Sequence, residues 1–278
     1  MNETHWTAIS AVATACAFGV VAWQSALTRR ALKVSQAALR ISQSALQTSQ
    51  TVALDTARSR LDAGAPQVTV RLIPPVWPPL AASVTGGMPV DPWPSGHSWH
   101  FPQDQHHSIV LQAAVVVENH SGWPVQAAFD GDLIVSTGTD LRITPAPTPV
   151  IVPGRDSSGT PGTIRVYLQK TFTILQLSEN HDAHENDRQL PHRVTGTVTV
   201  HDDRDNGTED TWNLLLTGHP VTPNPDRGSV WFVVPEDING RSGLRSLTYD
   251  LLPPRERAYW VSRRRRTALD EAPPRQVG

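Results

Sequence analysis

The residues best able to do chemistry in this sequence are histidines, acidic turns and tryptophans, since its single cysteine, Cys16, sits inside an uncharged run. Gly96-His97-Ser98-Trp99-His100 comes close to the G-x-S-x-G turn that presents a nucleophilic serine. That turn needs a strand before it, a helix after it and glycines that permit its strained backbone. Here His100 stands where the last glycine belongs, prolines flank the site and no helical pattern follows, so the motif is rejected. Asp202-Asp203-Arg204-Asp205-Asn206-Gly207 is laid out like a calcium loop, which requires alternating oxygen ligands and a closing bidentate glutamate. Arg204 and Asn213 occupy two of those places, so the ligand count fails and a solvated hairpin tip is expected.

Seven of the eleven histidines fall in two groups, His97, His100, His106 and His107 in one and His181, His184 and His192 in the other. His181-x-x-His184-Glu185 has the wrong order for the H-x-x-E-H zinc motif, and neither group lies on a predicted helix. Loose zinc or nickel capture by His97, His100 and His107 is chemically open, but exposed loop histidines are the plainer expectation. No catalytic residue, metal ligand or cofactor is therefore assigned. Between Pro74 and Pro102, Trp77, Trp93 and Trp99 are interleaved with prolines. Flat rings in such a setting stack on sugars or grip proline-rich peptides, and equally they close one end of a β-sandwich. Trp77, Trp93 and Trp99 are the candidate ligand or partner contacts.

The elements that must position these residues are strands. From Gln67 onward the apolar period is two: Val68, Val70 and Leu72 alternate with Thr69 and Arg71. Ile109, Leu111, Ala113, Val115 and Val117 share one face, with Val110, Ala114 and Val116 on the other, as in a central strand covered on both sides. Val194, Val198 and Val200 are answered by Trp212, Leu214 and Leu216 across a loop holding Asn206-Gly207, a hairpin signal. Ile164 to Ile174 reads as more strand, Val230 to Val234 as a short buried one, and no long amphipathic helix is evident between residues 66 and 250. The fold class read from this is mainly β, an immunoglobulin-like β-sandwich without its disulfide, over residues 64–252.

Ahead of it stands one long helix. Residues 6–27, WTAISAVATACAFGVVAWQSAL, carry no charge and would extend about 33 Å as a helix at ~1.5 Å per residue, against a hydrocarbon core of ~30 Å. Residues 1–27 are thus read as a single transmembrane span. Glu3 precedes it, while Arg29, Arg30 and Lys33 follow, so the positive-inside rule puts the N-terminus outside and the rest in the cytoplasm. Residues 28–63 then repeat in sevens, VSQAALR, ISQSALQ and TSQTVAL. Val34, Ala38, Ile41, Ala45 and Val52 fall on one seam that Leu39 and Leu46 widen, a coiled-coil-like stalk suited to a homo-oligomer; folding back on its own domain is the alternative. Gly64 and Pro66 mark its end.

Two turns carry a resemblance. Val117-Glu-Asn-His-Ser-Gly-Trp-Pro-Val125 resembles the "V-x-N-x-G-x-P-V" strand-turn, and Asp205-Asn-Gly-Thr-Glu-Asp-Thr-Trp212 is similar to the "D-x-x-G-x-x-W" hairpin, of uncharacterised membrane-anchored actinobacterial proteins. The resemblance implies their organisation (span, Ser/Gln/Ala heptads, β-domain) and no activity.

Charge is segregated. Residues 28–63 and the basic tail, residues 253–278, are each +4 in a chain of formal net charge −2, so the body between them is strongly acidic. Such a body repels phosphates, which excludes nucleic acid as a partner. Arg263, Arg264, Arg265 and Arg266 join Arg29, Arg30 and Lys33 as candidate contacts to anionic lipid. The leading functional expectation is a non-enzymatic, membrane-tethered scaffold presenting its sandwich to an unidentified cytoplasmic protein. The alternatives are an exported glycan- or ligand-binding sandwich and, behind it, a metal-assisted hydrolase.

Overall fold

The computed structural model describes residues 3–75, 77–82, 89, 91–94, 96–137, 142–202, 207–235, 242–249, 255–262 and 267–268. The chain divides into two compact units, Met1–Arg60 and Leu61–Gly278.

The first unit is helix. α1 runs unbroken over Glu3–Gly64, its last turn belonging to the second unit. The sequence offers no proline before Pro66, and its hydroxyl side chains fold back on the helix rather than competing with it. Thr28 donates to the Gln24 carbonyl at 2.8 Å, Thr48 to Ser44 at 2.9 Å and Thr56 to Val52 at 2.7 Å. Gly64 is the last helical residue and keeps a right-handed backbone, so Pro66 rather than a left-handed glycine cap ends the element.

Among the described residues no helix is long and apolar enough to cross a membrane. This overturns the expected single-pass anchor over residues 1–27, and with it the single-pass membrane localisation and its outside-to-cytoplasm topology. The physical reason is that freedom from charge is not apolarity. Leu, Ile, Phe and Val each contribute only about −0.3 to −0.6 kcal/mol to insertion. The run holds Ile9, Val12, Phe18, Val20, Val21 and Leu27, diluted by alanines and by Thr7, Ser10, Thr14, Gln24 and Ser25.

The second unit is mainly β, with three antiparallel sheets consistent with a sandwich. One sheet orders β1 (Val68–Ile73), β4 (Ser108–Asn119), β9 (Gly162–Thr173), β6 (Leu133–Thr137) and β7 (Arg142–Pro145), with β2 (Leu80–Ala81) also on β4. The other orders β16 (Thr267–Ala268), β15 (Arg255–Ser262), β11 (Thr208–Gly218), β10 (Arg193–Asp202), β5 (Val125–Gly131) and β8 (Val150–Val152), with β14 (Leu247–Tyr249) on β11. A small third sheet orders β12 (Val221–Asn224), β13 (Arg227–Val233) and β3 (Ser98–His100). The core is a single cluster drawn from both large sheets, in which Ile109, Ala113, Val115 and Val117 of β4 meet Val125, Val194, Val198 and Leu216. β4 is buried on both faces, as its unbroken apolar run predicts.

Two elements differ from expectation. Ile174–Glu185 is a helix, α2, where the sequence suggests a strand ending at Ile174 followed by an acidic loop. Thr173 caps it: the Thr173 hydroxyl accepts from the Gln176 N–H at 3.2 Å, and the Gln176 carboxamide oxygen accepts from the Thr173 N–H at 2.9 Å. The other is β15, which pairs with β11 inside the segment read as a basic tail.

Candidate functional site

The third sheet sets up a cleft by simple alternation. Across β13 and β3, Trp231 pairs with Trp99, Val230 with His100 and Phe232 with Ser98. Side chains of a strand point alternately to its two faces, so the central pair goes one way and the outer pairs the other. Trp99 is fully buried and Trp231 is 7% exposed, both in the core, while Val230, Phe232, Ser98 and His100 line a cleft of about 770 Å³. Trp77, Trp93 and His97 also line it, together with Asn224, Asp226 and Arg227 from the β12–β13 turn.

The aromatic wall is braced from beneath. Trp99 meets Trp93 edge-to-face with centroids 5.1 Å apart and meets His97 in the same way at 5.1 Å, while Trp93 and His97 lie 4.8 Å apart. The Trp93 N–H accounts for another strut, donating to the Pro79 carbonyl at 3.0 Å through the backbone. Trp77 has the Nε1–Cζ2 side of its indole against Gly243, where a Cβ would come within 2.5 Å of the ring. Of the three candidate tryptophans the structure brings Trp77 and Trp93 to the cleft and sends Trp99 into the core behind them. Asn224, Asp226, Arg227 and Phe232 escaped sequence reasoning because Val230 to Val234 looks like a uniformly buried strand. The signal was present one step earlier, in Arg227-Gly-Ser-Val-Trp-Phe-Val233, where the bulky residues alternate in direction.

Of the second histidine group, His181 and His184 sit on α2 rather than in a loop, and His192 lies in the connection between α2 and β10. His184 stacks on His219 with ring centroids 3.9 Å apart, and His181 lies edge-on to Trp231 at 5.5 Å. Burial, then the neighbouring His184 and His181, push His219 down to about 4, against a smaller opposing pull from Glu185. Among the described residues no three His, Cys, Asp or Glu side chains converge to hold a metal ion, including His97, His100 and His107. Asp203 to Asn206, the heart of the calcium-like loop, lie outside the described residues.

A charged knot lies in the same unit. Asp210 is 2% exposed and takes both ends of the Arg257 guanidinium, whose Nη1 also donates to Asp62 at 2.6 Å. Slight burial of Asp62 would raise its pKa, but hydrogen bonds from Arg257 and Tyr259 and the charges of Arg257 and Arg255 together hold it below the usual value. Paired to two carboxylates, Arg257 has its pKa raised.

Comparison with protein-family models, with curated proteins and with solved structures gives no match to this chain. The two resembling turns therefore stand on their own chemistry. Asn119 explains one of them: fully buried, it donates from Nδ2 to the carbonyls of Trp123 at 2.8 Å and Pro153 at 3.0 Å and accepts from the Ser121 N–H at 3.0 Å.

On α1 the stalk residues are open. Val34, Leu39, Ile41, Leu46 and Val52 are between 59% and 69% exposed, and Ala38 and Ala45 are exposed with them. Arg29, Arg30 and Lys33 are exposed too, but have lost the anchor that was to bring them to lipid. Arg263 to Arg266 lie outside the described residues.

Proposed function

We propose that this chain is a non-enzymatic interaction protein that works as an assembly of copies, each presenting an immunoglobulin-like β-body to a binding partner. The observation that carries the reading is the heptad seam of α1. An apolar stripe of Val34, Ala38, Ile41, Ala45 and Val52, flanked by Leu39 and Leu46, is open to solvent in the single chain. The occupant that fits it is the same stripe on a second copy, because the sevenfold spacing is shared and identical seams are self-complementary. Alanine at alternate seam positions allows close helix approach, and the added leucines suit more than two helices.

The immunoglobulin-like reading of the body is supported by strand order. β1, β4, β9 and β6 follow one another as A, B, E and D do, and β5, β10 and β11 as C, F and G do. The departure is β8, which joins β5 at the edge only after β6 and β7 have been made. Gathering several such bodies converts weak contacts into avidity.

Light scattering coupled to size-exclusion chromatography tests this. The intact chain is expected to elute as an oligomer, and Leu39→Asp with Ile41→Asp as a monomer with unchanged β-signal in circular dichroism. A monomeric wild-type chain across micromolar concentrations removes the reading.

A further inference from the structure

The cleft over β13 and β3 has the makeup of a sugar site, and we propose that it binds a neutral oligosaccharide of flat, equatorially substituted pyranose rings. At about 770 Å³ it falls within the ordinary range of ligand clefts, roughly 300–1,000 Å³. Its lining mixes two kinds of surface. Trp77, Trp93 and Phe232 supply aromatic rings, and Ser98, Asn224, Asp226 and Arg227 supply hydrogen-bonding groups. A pyranose demands that mixture, having C–H groups on its two faces and hydroxyls around its edge. Each hydroxyl both donates and accepts. Asp226 only accepts, Arg227 only donates, and Ser98 and Asn224 do both.

Two further observations narrow the choice. Asp226 and Arg227 are neighbours of opposite charge on one turn, so an ionic ligand of either sign gains little. The indole nitrogens are also out of play: Trp93 Nε1 is buried without a hydrogen-bond partner, and Trp77 has its Nε1 side against Gly243. A proline-rich peptide lying in an aromatic groove presents backbone carbonyls to which these indoles cannot donate, leaving that task to Ser98, Asn224 and Arg227. Stacking of a sugar face uses the rings alone. Trp99 beneath Trp93 fixes the wall in advance, so little ordering remains to be done on binding.

The inference rests on the chain being a binding protein, but not on its assembly, since every lining residue comes from one body. Titration calorimetry of the intact chain with cellohexaose, chitohexaose and xylohexaose, and with octaproline, tests it. At least one of the sugars is expected to saturate. Trp77→Ala and Trp93→Ala should each weaken it at least about tenfold, as loss of a stacking ring implies. Arg227→Ala, on an exposed turn that the core does not need, should weaken it at least about fivefold in a fully folded chain. No sugar binding, or binding indifferent to Trp77, Trp93 and Arg227, overturns the proposal. Saturation by octaproline alone overturns it in favour of a peptide site. If the Leu39→Asp, Ile41→Asp chain binds sugar as the wild type does while the wild type proves monomeric, the assembly reading fails and the sugar site stands.

Discussion

Arg257 lies alongside Asp210 so that Nε meets Oδ1 and Nη2 meets Oδ2, each at 2.6 Å. The paired strands make this possible, since β15 and β11 place the two residues directly opposite each other. A buried carboxylate tolerates its charge only with such a partner, and the planar guanidinium matches both oxygens at once. Arg257→Ala strips Asp210 of its hydrogen-bonded partner and leaves it only the Arg255 guanidinium at 3.7 Å, and is expected to cost up to about 3–5 kcal/mol in urea unfolding. Arg257→Lys should recover only part of this, because an ammonium cannot make the paired contact. Equal stability of Arg257→Ala and wild type would show that the pair holds nothing together.

Stability should fall on mild acidification. The unfolded chain takes up a proton at His219 near the ordinary 6.5, whereas the folded chain refuses it until about 4. The unfolded state therefore binds more protons between these values, and the His219 contribution, complete above 6.5, is lost as the pH drops through that window. Melting temperatures recorded across it should slope downward toward acid, and His219→Leu should flatten the slope. An unchanged slope in that variant would move the effect to other groups.

Asn119→Ala should be among the costliest polar substitutions in the body. It strips partners from the carbonyls of Trp123 and Pro153 and from the Ser121 N–H, in a place no water reaches easily. Each buried group left unpaired costs about 1–3 kcal/mol, so a loss of at least about 2 kcal/mol is expected from chemical denaturation.

Thr173→Ala removes the cap of α2. A lost cap costs typically about 1 kcal/mol. Hydrogen exchange should localise the damage to the first turn of α2, at Ile174 to Leu177, with the strands unaffected. Uniform loss of protection would mean that α2 is instead a keystone of the whole body.

Much of the body was legible in the sequence because its strands obey one rule. The two-residue alternation in Val68 to Leu72 and in Val194 to Val200, and the doubly apolar Ile109 to Val117, appear as β1, β10 and β4. α2 was missed although Thr173-x-x-Gln176 is a capping box, since the apolar residues before it continue a strand pattern without a break. The uncharged stretch at residues 6–27 misled for a different reason: a helix can be long and chargeless while half of its residues are alanine, serine or threonine. At the cleft, tryptophan spacing pointed to the right neighbourhood but could not say which ring faces outward. That depends on the pairing of Trp99 with Trp231, a register fixed only when β3 joins β13 from far away in the chain.

The edge-to-face contact between Trp93 and Trp99 ties the rim of the cleft to the centre of the fold. A molecule that settles against Trp93 presses, one ring removed, on the same packing that keeps the sheets together. Occupancy and heat resistance then rise in step, and a ligand can be found by the degrees it adds to the thermal transition, before anyone knows its name.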